Sequence, residues 1–260
     1  RDALNSFDMQ TGEFTRYVHN PDDPRSIPGD RISALHEDRA GHIWFSTMTT
    51  GVSRLNVDTG DLISFTHDPA NSDSLSNASV FSILEDKQGF LWFGSRGGLN
   101  RLNPETGEFR LYSVADGLPN DVIYGILPDA QGHLWISTNK GISRFDLATE
   151  TFDNFGLNDG LQGEEFNNGA YYRADSGEMY FGGINGFNAF EPAAIEDNTY
   201  APPVVITRFT VLNQDRSIQG GNDVITLNHQ ENYLSFEFAA LDFAAPERNQ
   251  YTYRLSGVDE

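Results

Sequence analysis

Apolar and polar residues alternate along short segments through most of the chain, and Gly, Asn, Asp and Thr interrupt the alternation at regular intervals. Such alternation marks half-buried strands. Residues 32–37, 42–48, 52–57 and 62–65 carry it in succession with turn chemistry between them, which predicts a four-stranded antiparallel meander. The meander returns about every 45 residues. Trp44, Trp92 and Trp135 hold one frame, with Tyr180 in the fourth copy. Ahead of them stand Gly41, Gly89, Gly132 and Gly177, and ahead of those Asp38, Asp86, Asp129 and, as a departure, Ala174. After the aromatic come Thr47, Ser95, Thr138 and Gly183, then turn glycines Gly51, Gly98, Gly141 and Gly186. Arg54, Arg101 and Arg144 follow, with Ala189 in the fourth copy. A second turn reads Thr59 and Gly60, Thr106 and Gly107, then a degenerate Thr149 and Glu150, and Phe65, Tyr112 and Phe155 close the units. Phe7, Asp8, Thr11, Gly12, Phe14 and Tyr17 fall on this frame as the tail of an earlier unit.

Four short strands per unit at this period predict β-propeller blades, sheets packed face to face around a central channel. Asp followed three residues later by Gly suits a type I turn with a left-handed residue after it, and the Thr-Gly pairs suit tight hairpins. The repeated Trp is expected to fill the gap between adjacent blades. The repeated Arg is expected to bridge blade edges to carboxylates or carbonyls. Pro192 ends the pattern, and residues 193–203 read as a linker. Beyond it, residues 205–211 form a strand candidate, Leu234, Phe236 and Phe238 alternate with Ser235 and Glu237, and Tyr251, Tyr253 and Leu255 alternate with Thr252 and Arg254. These read as strands of a sandwich and not as a fifth blade, so the whole chain is all-β.

Composition narrows the chemistry. Across 260 residues, 38 Asp plus Glu stand against 17 Lys plus Arg, a formal charge of −21, which disfavours nucleic acid or an anionic lipid surface as partner. With no Cys there is neither a disulfide framework nor a thiol nucleophile. No apolar run approaches the roughly 20 residues that span a bilayer. The chain begins at Arg1 and stops within a strand-like pattern at Glu260, so it reads as a piece of a longer protein.

The run from Val80 through Asp86, Gly89, Trp92, Gly98 and Arg101 resembles the two-component regulator propeller repeat. The loops agree: Ser74, Leu75, Ser76 and Asn77 before one copy, Asp116, Gly117, Leu118, Pro119 and Asn120 before the next. This resemblance covers residues 1–192. Residues 234–260, through Ala239 to Pro246 and the run from Tyr251 to Leu255, resemble the Y_Y_Y domain. That resemblance implies that residues 204–260 are the N-terminal part of an immunoglobulin-like β-sandwich, without its later strands. Together the two imply the extracytoplasmic, periplasmic sensor region of a bacterial membrane receptor. Such a region binds an oligosaccharide or other small ligand and relays the signal through a transmembrane helix to a histidine kinase or diguanylate cyclase. They also imply a homodimer in the full-length receptor and contacts with its remaining blades and membrane-proximal parts.

In a four-stranded meander, the loop between strands two and three and the connection to the next blade emerge on the same face. The connections, residues 18–30, 66–77, 113–121 and 156–168, are polar, and long loops on a rigid scaffold are where recognition usually resides. Candidate ligand contacts are Arg31, Asn77, Asn120 and Asn167 at the starts of innermost strands, and Arg96, Lys140 and Asn185, beside Thr49, at the strand-two to strand-three tips. Planar amides, Arg and Lys suit sugar hydroxyls, uronates and sulfates. The competing expectation is that the amides cap their own turns and the cations are solvated.

No catalytic, metal or cofactor motif is found. His19 and His67 read as features of equivalent loops. The adjacent pairs Asp22/Asp23 and Glu164/Glu165 do not converge as a glycosidase acid and base must. Asp30 and Asp121 are the only acids near the inner strand starts. A glycosidase or lyase acting over the channel and a protein-interaction scaffold stand as alternatives. Four repeats and a fragment do not close a ring unless the fragment completes the last blade, and an open face of about 500 Å² would forfeit up to about 12 kcal/mol. Further blades, or another chain, are therefore expected to cover it.

Overall fold

The computed structural model describes residues 4–23, 25–195, 203–217, 225–241, 251 and 253. The chain divides into two units, residues 1–195 and 196–260. The first opens with a two-stranded sheet, β1 (Leu4–Phe7) and β2 (Phe14–Tyr17). Three four-stranded meanders follow. Blade 1 holds β3 (Ile32–Glu37), β4 (His42–Thr47), β5 (Val52–Asn56) and β6 (Leu62–Phe65). Blade 2 holds β7 (Val80–Glu85), β8 (Leu91–Ser95), β9 (Gly98–Leu102) and β10 (Phe109–Tyr112). Blade 3 holds β11 (Ile123–Pro128), β12 (His133–Thr138), β13 (Gly141–Asp146) and β14 (Thr151–Phe155).

The fourth copy departs from the expected meander. It has three strands, β15 (Phe166–Arg173), β16 (Met179–Gly183) and β17 (Gly186–Phe190), and the short helical turn Pro192–Ala194 stands where a fourth strand would begin. Pro192 fixes its own φ and has no N–H for a strand ladder. The opening fragment supplies the third and fourth strands of a unit while the last copy supplies the first three, so the two duplicate a strand and are not complementary halves.

The first strands of successive blades lie side by side, β3 by β7, β7 by β11 and β11 by β15, so the sheets fan about a shared axis. Each inner strand of blades 1 to 3 carries a one-residue register shift near its start, at Ile32/Ala34, Val80/Ser82 and Ile123/Gly125. Such bulges raise the local twist and turn the strand out of the ladder. In β15 the irregularity lengthens to Phe166/Tyr171 and exposes Asn167.

The Trp expectation holds. Trp44 packs with Leu91 and Phe93 of the next blade, Trp92 with Leu134, Ile136 and Phe145, and Trp135 with Met179 and Phe181. Each indole also donates to the Asp six residues earlier: to Asp38 Oδ2 at 2.8 Å, Asp86 Oδ2 at 2.7 Å and Asp129 Oδ2 at 3.0 Å. The Arg directly across the ladder lies over the indole face, Arg54 at 5.8 Å, Arg101 at 5.7 Å and Arg144 at 6.0 Å from the ring centroid. Among the described residues Arg101 bridges to the next blade through Glu150 at 3.1 Å, and Arg144 pairs with Asp153 of its own blade. The fourth copy replaces all three residues together, as Ala174, Tyr180 and Ala189. Without an indole there is no N–H for the Asp to accept, and Tyr180 instead donates to Glu178.

In the second unit, β18 (Val204–Val211) pairs with β19 (Gln214–Asp215) and β20 (Leu234–Ala240), all antiparallel. Leu234, Phe236 and Phe238 share one face with Val211, Phe209 and Ile206 opposite them, as the alternation predicts. Tyr251 reaches this sheet by accepting the Ala240 N–H at 3.0 Å. Of the expected linker at 193–203, residues 196–202 lie outside the described residues, as does the strand at 251–255 apart from Tyr251 and Tyr253.

Candidate functional site

The end of the blades that carries the strand-two to strand-three tips is stitched by one repeated hydrogen bond. The turn glycine of each blade donates its backbone N–H to a carbonyl just ahead of the next inner strand: Gly51 to Ala78 at 2.9 Å, Gly98 to Asp121 at 2.8 Å and Gly141 to Glu164 at 2.7 Å. These glycines have φ of +90°, +109° and +88°, and a Cβ there would stand 2.1 to 2.5 Å from a carbonyl oxygen of the fourth strand. Only Gly meets both demands. The tips and the connections therefore do share one face of the first unit.

Two kinds of connection arrive there. Before blades 1 and 2, His19 and His67 bond through Nδ1 to the carbonyls of Ile27 and Leu75 at 2.9 and 2.8 Å. Ser26 and Ser74 accept the N–H groups of Asn20 and Asp68 across the same loops. Both histidines are loop features. Before blades 3 and 4 the chain instead makes a single helical turn, Val114–Asp116 and Leu157–Asp159, each ended by a left-handed Gly.

The predicted contacts occupy this face in unequal states. Asn77 and Asn120 are true equivalents, and each accepts through Oδ1 the N–H two residues on, from Ser79 and from Val122, both at 2.9 Å. Those oxygens cap their own turns. Arg31 and Asn167 do not share that register: Gly29 and Gly163 hold the equivalent places, Arg31 corresponds to Ser79, and Asn167 lies in the lengthened bulge of β15. Arg31 is also engaged by other groups, its carbonyl accepting from Met48 at 3.3 Å. Arg96 is exposed and lies over the Phe81 ring at 5.9 Å, and Phe81 packs against Tyr124 with ring centroids 5.5 Å apart. Lys140 is exposed, its backbone N–H held by Thr138 Oγ1. Asn185 donates from both its backbone and its amide to Gln162.

Gln162 escaped the sequence reading. Its amide lies over Gly183, where a Cβ would stand 1.9 Å away, and its Nε2 is buried with no protein partner. Aligning the inner strands by register, which places Gln162 level with Ser76 and Pro119, is the signal that would have found it. Of the acids ahead of the inner strands, Asp30 accepts the His19 N–H at 2.7 Å and Asp121 accepts the Val114 N–H at 2.8 Å, while Glu164 and Glu165 ahead of β15 are exposed. Among the described residues, no three His, Asp or Glu side chains converge as a metal site.

These are propeller blades that present a face rich in amides and cations. Residues 26–49, 74–97 and 117–140, one segment per complete blade, match the family described as the two component regulator propeller. Histidine kinase P4 of Formosa agariphila is 30% identical over 106 residues, which is 37% of this chain and 8% of that protein. Two extracellular domains of proteins assigned as hybrid two component systems of B. thetaiotaomicron share the fold. One, 23% identical, gives a TM-score of 0.66 over 89% of this chain and 32% of its own, and the other, 21% identical, gives 0.53 over 86% and 29%. The chain thus spans only a small part of the kinase and about a third of each solved domain.

Proposed function

We propose that this segment is the periplasmic ligand-recognition region of a bacterial two-component receptor, that it binds an oligosaccharide at the stitched face, and that it leaves the ligand chemically unchanged. The observation that carries the reading is the run of three matched regulator propeller repeats, each ending at a strand-two to strand-three tip. The rigid stitch beneath those tips supports it, since loops on a fixed scaffold discriminate ligands without being remade. The engagement of Asp30 and Asp121 with backbone N–H groups, and the adjacency of the exposed Glu164 and Glu165, favour recognition over hydrolysis, because an acid and base pair needs two free carboxyl groups that converge across a glycosidic bond. In this reading the second unit is the beginning of the immunoglobulin-like Y_Y_Y module, which passes the signal to a histidine kinase or diguanylate cyclase in a homodimeric receptor.

The test is a thermal-shift and calorimetric screen of the segment against neutral and acidic oligosaccharides, with chromatography of the recovered ligand. Binding that weakens at least about tenfold when Arg96 and Lys140 are changed to Ala, with the ligand recovered intact, is the expected result. Cleaved ligand would show an enzyme instead. Binding to a protein partner alone would show a scaffold.

A further inference from the structure

The sequence holds an Asn followed directly by Gly twice, at Asn168 and Gly169 and at Asn185 and Gly186, both in the fourth copy of the repeat. Such a pair can react with itself. The backbone nitrogen of the second residue, once it has given its proton to solvent, can attack the side-chain carbonyl carbon of the Asn, and Gly lacks the Cβ that would screen that nitrogen. A five-membered succinimide forms as the new C–N bond closes. The side-chain nitrogen leaves as ammonia, taking up the proton that the backbone nitrogen lost. Water then opens the ring at either carbonyl and yields Asp or its β-linked isomer, isoaspartate. One water is consumed and one ammonia released, with no oxidant or reductant.

The fold holds the two sites differently. Asn185 lies in the tight turn between β16 and β17, which is closed by Gly183 opposite Gly186. Its backbone N–H donates to Gln162 Oε1 at 2.7 Å, and its amide Nδ2 donates to the Gln162 carbonyl at 3.3 Å. Swinging Cγ onto the Gly186 nitrogen would break the second bond and turn the backbone that the first one fixes. Asn168 has neither restraint. It sits in the lengthened bulge of β15, where residues 167–170 stand against Gly182 alone across the ladder. Residues of a bulge are left out of the ladder, so rotating the backbone there costs little strand pairing. The Asn168 side chain is exposed and makes no hydrogen bond among the described residues. Gly169 is exposed at φ +74°, and a Cβ on it would meet nothing within 4 Å, so the space around this residue is open. Asn167, also exposed in the same bulge, is followed by Asn168, whose side chain screens the nitrogen.

We propose that Asn168 is a site of spontaneous deamidation and isomerisation, and that Gln162 protects Asn185 from the same reaction. The product adds a carboxylate to the strand that follows Glu164 and Glu165, in a chain of charge −21. In the isoaspartate form it also adds a methylene to the backbone of β15. The inner strand of the fourth sheet therefore changes with the age of the molecule, whatever the loop face binds.

The test incubates the chain in mildly alkaline buffer and follows each Asn by peptide mapping in a mass spectrometer, with enzymatic methyl labelling of isoaspartate and measurement of released ammonia. Asn168 is expected to convert at least about tenfold faster than Asn185 or Asn167, a barrier difference of about 1.4 kcal/mol. Mildly acidic buffer, in which the Gly169 nitrogen keeps its proton, should slow it. Gln162→Ala should raise the Asn185 rate severalfold and leave the Asn168 rate as it was, with unchanged circular dichroism. Asn168→Gln should stop the reaction at that position, because ring closure would then need six members. In concentrated urea the gap between Asn168 and Asn185 should close, since only the fold separates them. Equal rates at Asn168 and Asn185 in the folded chain, a gap that urea leaves unchanged, or an Asn185 rate unmoved in Gln162→Ala would each overturn the proposal.

Discussion

Asp38 and Asp129 show how one side chain can hold a turn and a core together. Each carboxylate accepts backbone N–H groups across its turn with Oδ1 and an indole N–H with Oδ2, so turn and blade interface share one acceptor. Burial works to raise both acids, but the Trp, His and backbone donors outweigh it and hold them below their ordinary value of 3.8. A carboxyl lowered by folding contributes stability that is complete above its unfolded value and is lost as the pH falls through the folded one. Melting temperature is therefore expected to drop on acidification below about pH 4. In Asp38→Asn/Asp129→Asn the protein should be less stable at neutral pH and its acid limb shallower. Calorimetric scans between pH 6 and pH 2 would reveal this, and an unchanged limb would show that other carboxylates govern acid unfolding. The Asp, Gly and Trp were all visible in the sequence as a frame. Their hydrogen bond was not, because spacing alone does not show that a turn residue and a core residue six positions on point at one another.

At the scale of single elements, the third-to-fourth-strand turn of blade 3 shows what a degenerate repeat can gain. Gly60 and Gly107 sit in the left-handed region at φ +77°, and Glu150 holds the same place at +56°. A non-glycine residue there costs roughly 1–2 kcal/mol. In return, its carboxylate reaches back to blade 2, where Tyr112 donates at 2.9 Å, Arg101 at 3.1 Å and Arg110 at 3.0 Å. Burial, and then the neighbouring Glu150, push the Tyr112 hydroxyl up to about 12. Glu150→Gly should relieve the backbone yet lose the clamp, for a net loss of about 1 kcal/mol in urea unfolding. Glu150→Gln should bring the Tyr112 titration part of the way back toward 10 in ultraviolet spectra. Because the raised value favours the protonated folded state, stability should fall as pH rises from about 10 toward 12, and less so in the variant. A wild-type Tyr112 that titrates normally would refute the clamp. The sequence marked Glu150 as an irregular letter in the Thr-Gly frame. It gave no sign of the partner, since Tyr112 and Glu150 meet only when two blades pack.

For the whole molecule, strand number and order in blades 1 to 3 followed from periodicity, because each blade is a local meander that needs no distant partner to set its register. What periodicity missed lies between units. The fourth sheet stops at three strands, and its Tyr172 and Phe187, 62% and 66% exposed, present an aromatic face beside Tyr180 where the other blades are covered. Sedimentation of the isolated segment should accordingly show concentration-dependent association, and an environment-sensitive dye should bind it. A dye-silent monomer at every concentration would mean that this face tolerates water. The repeated glycine stitch carries one more consequence. Through this bond each blade asks of its successor a carbonyl at a fixed place, so removing residues 78–120 would join Asn77 to Asp121 and offer Gly51 an acceptor that Gly98 now uses. Whole units could in this way be gained or dropped by a lineage as cassettes, lengthening or shortening the arc while the backbone bond at each junction is kept.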